Sequence, residues 1–259
     1  MKKKSKRKRH FYQTGIIFLF LAAGFYGALK MGWGPFALKN DAPTAMAPVR
    51  PLTAKTTFQD LEIFPFTNDA SLAAWERKIF KGVTEYQVRE EGGRVYLSSD
   101  SKDSASGLYM KTNHEPSPDL YLSWRWRVRE FPKKRSPETF SDRADDDFAA
   151  RLYVIFLASN LFRSDALEYI WDEHLPAGTH ADSPYSDRIK LLVLQSGPSG
   201  ESSGGWRQEE RNPLADYEKL FGKKPKHPIG IIALMSDSDS TQSQASADFS
   251  DISIKKKIL

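Results

Sequence analysis

The chain has 259 residues, 40% of them hydrophobic and 27% charged, which excludes a mainly disordered, collagenous or repeat protein. It has no cysteine, which excludes disulfides, thiolate metal sites and a cysteine nucleophile. The first 50 residues hold 10 of the 38 Lys and Arg but only one of the 33 acidic residues. The rest of the chain is therefore mildly acidic, although the overall charge is +5. It does not provide the basic surface that nucleic-acid binding needs.

The amino terminus predicts a membrane anchor. Residues 1–10 form a basic head, and residues 11–30 form a signal-anchor or signal peptide, uncharged from Phe11 to Leu29. A helix of that length measures about 28 Å, close to the roughly 30 Å hydrocarbon core of a bilayer. The positive head favours the cytoplasm, so the rest of the chain is expected across the membrane. We expect the segment to be retained, with cleavage as the alternative.

Residues 31–57 are rich in proline and alanine and predict a semi-extended linker. Residues 58–259 are predicted to form one β domain. In Tyr121–Arg129, YLSWRWRVR, apolar and polar residues alternate with period two, as in a β-strand. The runs RLYVIFLA, IKLLVLQS and PIGIIALM are nearly continuous in apolar residues and predict strands buried on both faces. Besides Tyr121–Arg129, the predicted strands, three of which correspond to these runs, are Thr84–Arg89, Arg94–Ser98, Gly107–Lys111, Ala150–Ala158, Leu167–Trp171, Ile189–Gln195, Trp206–Arg211, Ile229–Met235 and Phe249–Ile254.

Helical signals are few. Asn68–Lys78 begins with capping residues, and Pro213–Phe221 starts with proline after Asn212 and stops before Gly222. Many short strands without an alternating β-α-β pattern predict an all-β fold. We expect a jelly-roll-like antiparallel β-sandwich with one or two short helices, preceded by one N-terminal transmembrane or signal-anchor helix.

A succession of segments resembles a known family. These segments are WRWRV, DDDFAARLYVIF, LEYIWDEHLPAGT with SPYSDRIKLLVLQSG, WRQEERNPLADYEKLFG, GIIALMSDSDST and ADFSDISI, and they resemble domain of unknown function 3047 over residues 60–254. The resemblance implies an exported bacterial protein, a fold similar to the galactose-binding-like sandwiches of carbohydrate-binding modules, and no established catalytic activity. Ser240 departs from the family pattern, which more often has Asn before the Thr. Together with the anchor, the family resemblance implies a single-pass protein of the bacterial inner membrane with its C-terminal domain in the periplasm. If the N-terminal segment is cleaved, it implies a secreted or periplasmic protein.

Three adjacent acids, Asp145, Asp146 and Asp147, enter a strand that is predicted to be buried, and Arg151 follows on the same face. Buried carboxylates are costly unless they are paired or liganded. They could hydrogen-bond sugar hydroxyls, bind a cation or form an acid–base pair. The alternative is an ion-paired strand entrance that faces Arg125 or Arg127 across the sheet.

The loop SDSDST follows an apolar strand, and its Asp237, Asp239 and Thr241 offer the hard oxygen ligands that calcium prefers. The spacing does not match an EF-hand, and a capped turn at the strand exit is the alternative. Calcium is the one cofactor that the sequence suggests.

A carbohydrate site joins an aromatic platform with polar groups, because sugars combine apolar C–H faces with hydroxyl edges. Trp171 and Trp206 lie near loop-rich regions and are the candidate platforms, with burial in the core as the alternative. Arg125, Arg127 and Arg129 form a basic row that either pairs with the acids or clamps an acidic polysaccharide.

The sequence contains no P-loop or dinucleotide-binding motif. The leading prediction is therefore an exported, membrane-tethered, non-catalytic protein that binds a cell-envelope or extracellular glycan. Two alternatives stay open: a glycan-processing enzyme that pairs Asp145 or Asp147 with Asp237 or Asp239, and a structural envelope protein with a protein partner.

Overall fold

The computed structural model describes residues 57–135, 140, 142–200 and 205–258. Thirteen β-strands and one α-helix lie within this part of the chain. The strands are β1 (Thr57–Phe64), β2 (Glu76–Lys81), β3 (Glu85–Glu91), β4 (Arg94–Lys102), β5 (Ala105–His114), β6 (Leu120–Glu130), β7 (Ala150–Phe156), β8 (Asp165–Asp172), β9 (His180–Ser183), β10 (Ser186–Ser196), β11 (Arg207–Arg211), β12 (Ile229–Asp237) and β13 (Gln244–Ile258), and the helix is α1 (Pro213–Phe221).

The strands form two stacked sheets. The front sheet has the order β11-β6-β13-β4-β3, and β1 pairs with the second half of the long strand β13. The back sheet has the order β2-β5-β12-β7-β8-β10-β9. The prediction of an all-β sandwich with few short helices is confirmed, while the jelly-roll order stays a prediction.

One strand pair departs from the predicted antiparallel arrangement. Strand β10 pairs with β8 in parallel and with β9 antiparallel. The chain leaves β8, forms β9 at the edge of the sheet, and turns back to place β10 between them. Because β9 runs opposite to β8 and β10 runs opposite to β9, β10 enters in the same direction as β8.

Large aromatic side chains fill the space between the sheets. Trp124 and Trp126 project from the apolar face of β6 and are fully buried, as the period-two pattern predicts. Trp124 stacks on Tyr169 of β8, with ring centroids 5.4 Å apart. Burying aromatic area on this scale is the main stabilising contribution available to such a sandwich.

A second apolar cluster covers the outer face of the back sheet. Tyr153, Ile155 and Leu191 lie there under Phe148 and Leu175, which come from connecting segments. Every residue of β7, β8 and β12 is buried as a result. The prediction of burial on both faces is confirmed for the runs of β7 and β12, whereas the run of β10 is half-buried at Lys190, Leu194 and Gln195.

One of the two predicted helices is confirmed. Helix α1 has the predicted bounds, with Asn212 as N-cap and Gly222 in the left-handed conformation at its C-terminus. The prediction for Asn68–Lys78 was wrong beyond its first turns, because a short 3-10 helix, Asp69–Ala74, is followed by strand β2. The chain becomes extended at Trp75, whose ring is buried against Phe66 at 5.3 Å.

The basic head, the anchor and nearly all of the linker lie outside the described residues. Within the residues that the structure describes, no helix is long and apolar enough to cross a membrane.

Candidate functional site

The three adjacent acids lie at the entrance of β7, but in a turn and not in an extended strand. Asp145 ends a 3-10 turn, Arg143–Asp145, and Asp146 and Asp147 connect this turn to the strand. All three residues are buried, with at most 5% of their surface exposed. The expected burial of these acids is therefore confirmed, and buried carboxylates need a neutralising partner.

The side chain of Arg151 neutralises acids from two strands and from the segment before β7. Its Nε donates to Asp237 Oδ1 at 2.8 Å, and its Nη2 lies 2.7 Å from Asp237 Oδ2 at the end of β12. Its Nη1 lies 2.8 Å from Glu168 of β8 and 3.6 Å from Asp146. Because β7, β8 and β12 are neighbours in the back sheet, one buried cation collects acids that are far apart in sequence.

The cluster around Arg151 holds more carboxyl groups than cations. Burial raises the pKa of Asp146 to about 7 although Arg151 opposes this, and burial also raises the pKa of Glu168. The Phe148 ring covers the guanidinium at 4.5 Å, and Lys134 Nζ lies 3.6 Å from the centroid of that ring. A network this deeply buried offers a saccharide no open surface. Its geometry favours the ion-paired interpretation over a binding or catalytic pair.

Two of the three predicted metal ligands, Asp237 and Asp239, lie close together, but the third acid of the group is Asp147 and the predicted Thr241 is not one of its ligands. The carboxylate oxygens of Asp147, Asp237 and Asp239 lie within 4.8 Å of one another. Thr241 is a hydrogen-bond donor to Asp147, from its hydroxyl and from its backbone N–H at 2.7 Å each. Since Asp147 already accepts these hydrogen bonds and Arg151 binds Asp237, the three acids fit a calcium ion poorly.

Trp171 belongs to the core. It is 1% exposed, its ring lies 5.9 Å from that of Trp126, and its indole N–H donates to the Gly197 carbonyl at 2.8 Å. Trp171 is therefore a core residue, which was the alternative interpretation, and its buried ring is not a platform for a ligand.

The arginine row lies on the outer face of the front sheet, on the other sheet from the three acids. Arg127 Nε binds one oxygen of Asp248 at 2.7 Å, and Arg129 Nε binds the other at 3.0 Å. Arg127 also lies 2.7 Å from Glu91. The row is therefore paired with acids, but with those of its own sheet, and the structure does not bring it to the cluster around Arg151.

Trp206 comes just before β11 and lies over the same outer face. The guanidinium groups of Arg94 and Arg127 lie 5.0 Å and 4.8 Å from its ring centroid, and Tyr96 meets it edge-on at 5.5 Å. Only 8% of Trp206 is exposed. The indole is thus not an open stacking platform, and it holds the two guanidinium groups in place by cation–π contact.

A cleft of about 410 Å³ opens beside Arg94, the residue that contacts Trp206, and the sequence did not predict it. The cleft combines an apolar wall from the end of β1 with polar groups from β13 and from the β3–β4 turn. Among its lining residues are Ile63, Pro65, Phe66, Gly93, Arg94 and Asp251. Its volume lies in the usual range for small-molecule sites, roughly 300–1,000 Å³.

Two features of the sequence indicated this cleft in retrospect. Gly92 and Gly93 have φ of +58° and +78° and form the two-residue turn between β3 and β4, which a Gly-Gly pair between strands predicts. In FSDISI, the consecutive polar residues Ser250 and Asp251 break the alternation of β13. The structure has an irregularity there, with Asp251 at φ +54°.

The fold and this surface define a two-sheet β-sandwich with an open cleft at its front face. The chain belongs to the family described as "Protein of unknown function (DUF3047)", whose model matches residues 73–253. The family resemblance of the sequence is confirmed. No curated protein matches the chain.

Several solved structures are similar to the chain at low identity. The family 11 carbohydrate-binding module of the cellulosomal cellulase Lic26A-Cel5E from Clostridium thermocellum is 10% identical, covers 78% of this chain and 95% of its own, and has a TM-score of 0.39. The xyloglucanase domain of NopAA from Sinorhizobium fredii is 12% identical, covers 71% and 93%, and has a TM-score of 0.42. A likeness of this size says nothing about what this chain binds, which depends on its own residues.

Proposed function

We propose that this protein is a non-catalytic glycan-binding protein, tethered to the bacterial inner membrane by its N-terminal segment, and that the cleft lined by Ile63, Arg94 and Asp251 holds the glycan. The observation that supports this most is the composition of the cleft, which joins an apolar wall to exposed hydrogen-bonding groups. A sugar ring has both kinds of surface, because its C–H face is apolar and its edge carries hydroxyl groups.

The apolar wall has an exposed part that a ligand can contact and a buried part that packs against the core. Ile63 is 58% exposed at the end of the edge strand β1. Phe66 is buried and stacks on Trp75 with an angle of 18° between the rings. A wall that is already ordered loses little conformational entropy when a ligand packs on it.

The polar side of the cleft supplies both donors and acceptors. The Asp251 side chain is 58% exposed and the Arg94 side chain is 30% exposed. A carboxylate accepts hydrogen bonds from sugar hydroxyls, and a guanidinium donates to them. The contact of Arg94 with Trp206 orders the guanidinium before a ligand arrives.

The proposed location follows from the N-terminal pattern alone. A basic head before an uncharged segment predicts export of the domain, and the periplasm or cell surface is where envelope glycans occur. The test is a C-terminal fusion to a reporter enzyme that is active only outside the cytoplasm. Activity of the fused reporter supports export, and a fusion that is inactive although expressed contradicts it.

Glycan binding is tested with the full-length chain, purified in mild detergent, on an array of bacterial envelope and extracellular polysaccharides. We expect binding to at least one class and a loss of about tenfold in affinity for Ile63→Ser, which removes apolar contact. Ile79→Ser is the matched control, because Ile79 is 51% exposed on β2 of the other sheet. Equal losses for the two variants contradict the assignment to the cleft. Failure across the array contradicts the function and favours a protein partner, since Leu61 and Ile63 are both exposed on β1.

A further inference from the structure

Asp251 lies at an interruption of the central strand of the front sheet. Its backbone has φ +54°, a left-handed conformation that residues other than glycine seldom adopt. The pairing of β13 with β6 shifts between Ser250 and Ser253, so Asp251 lies in the irregular part of the ladder. Such irregularities re-aim a side chain, and here the side chain lines the cleft.

Two arginines flank the Asp251 carboxylate from the neighbouring strands. Arg125 Nε on β6 lies 3.5 Å from Asp251 Oδ2, and Arg94 Nε on β4 lies 3.9 Å from the same oxygen. Both distances exceed the 2.7–3.2 Å of an N–H···O hydrogen bond. The carboxylate is close enough to neutralise the two cations without filling the space between them.

A second carboxylate on the same strand shows what a closed site looks like. Asp248 also lies between two arginines, but Arg127 and Arg129 contact its two oxygens at 2.7 Å and 3.0 Å. The Asp248 side chain is 1% exposed, against 58% for Asp251. One face of the sheet therefore carries one locked arginine–carboxylate group and one open group. Arg94 and Asp251 of the open group line the cleft, and Arg125 flanks Asp251 from β6.

We infer, on the basis of the proposed function, that the ligand is an acidic saccharide whose carboxylate binds the guanidinium groups of Arg94 and Arg125 in place of Asp251. Guanidinium groups bind planar carboxylates at two points, so a sugar carboxylate forms shorter and stronger contacts than Asp251 does from its distance. The apolar wall contacts the ring of that sugar, and Asp251 is a negative charge that the ligand must displace.

The test compares oligogalacturonate and hyaluronan oligosaccharides with their carboxyl-reduced forms, in titrations of the full-length chain. We expect the acidic probes to bind at least about tenfold more tightly than the reduced ones, because the charge-assisted contacts are lost on reduction. Arg94→Gln and Arg125→Gln should each weaken binding of the acidic probe about tenfold, and Asp251→Asn should strengthen it. Asp187→Asn, which removes an exposed negative charge on the back sheet, is the matched control and should change nothing.

The possible outcomes separate the two proposals. If the reduced probes bind as tightly as the acidic ones, or if Asp251→Asn weakens binding, the acidic class is wrong while glycan binding stands. Binding of sulfated dextran alone also overturns the carboxylate assignment. If no variant and no saccharide of the array gives binding, the proposed function itself fails.

Discussion

Arg151 and Asp237 form a two-point ion pair across adjacent strands of the back sheet, with both side chains at most 4% exposed. Asp146 and Glu168 approach the same guanidinium. Removing one partner of a buried ion pair leaves the other charged in a poorly polar surrounding, which costs far more than the pair contributes on the surface.

The first prediction concerns this arginine. Arg151→Met should lower the free energy of unfolding by about 3–5 kcal/mol at pH 8, because it leaves several buried carboxyl groups without their cation. Urea denaturation followed by circular dichroism measures this. Arg163→Met, at an exposed arginine, should change stability by less than about 0.5 kcal/mol. A loss below about 1 kcal/mol for Arg151→Met would show that the cluster does not hold the sheet together.

The second prediction is a dependence of stability on pH. Burial raises the pKa of Asp146 from 3.8 to about 7 in the folded protein, so the folded state binds the proton more tightly than the unfolded state. The resulting stability is fully present below pH 3.8 and is lost as the pH rises through 7. Asp146→Asn has no proton to lose, so it should remove a change of about 3 kcal/mol in the free energy of unfolding between pH 4.5 and 8.5, measured by urea denaturation. Identical slopes for the wild type and Asp146→Asn would contradict the protonated state.

The third prediction concerns calcium. Because Asp147 and Asp237 already accept hydrogen bonds and Arg151 is adjacent, a divalent cation would replace contacts that exist without it. Millimolar calcium should therefore leave the melting temperature unchanged. A rise that saturates with calcium concentration and disappears in Asp239→Asn would establish a metal site after all.

The fourth prediction isolates the backbone strain at Asp251. Asp251→Gly should be more stable than Asp251→Ala by about 1 kcal/mol, because both lose the carboxylate but only alanine keeps a Cβ in the left-handed region. Urea denaturation of the two variants gives the difference directly. Equal stability would mean that the backbone relaxes and that no strain is held at the cleft.

The strands and the helix that are specified by neighbouring residues in the sequence could be predicted. The alternation around Trp124 and the Pro213–Gly222 helix signals depend only on neighbouring residues, and both predictions are confirmed. Strands β1, β2 and β9 lack such patterns, because they lie at sheet edges where half-exposed residues dilute the alternation.

The candidate site could be predicted only in part, for a different reason. That Asp146 must be neutralised follows from the sequence, but its neighbours Glu168 and Asp237 are supplied by strand pairings distant along the chain. The cleft joins the end of β1, the β3–β4 turn and the irregularity of β13. Only the three-dimensional arrangement brings these segments together, so the alternation break at Asp251 indicates a bulge but not its surroundings.

Titration calorimetry with the saccharide that binds best on the array tests the central claim most directly, using the full-length wild type and the double variant Ile63→Ser/Arg94→Gln. Both substitutions lie in the lining of the cleft and outside the fully buried core, so the folded state should be kept, which the circular-dichroism spectrum and melting temperature check. The account predicts saturable binding by the wild type and a loss of at least about 100-fold in the double variant. Unchanged affinity in a folded double variant would contradict it, because the saccharide would then be bound elsewhere on the molecule.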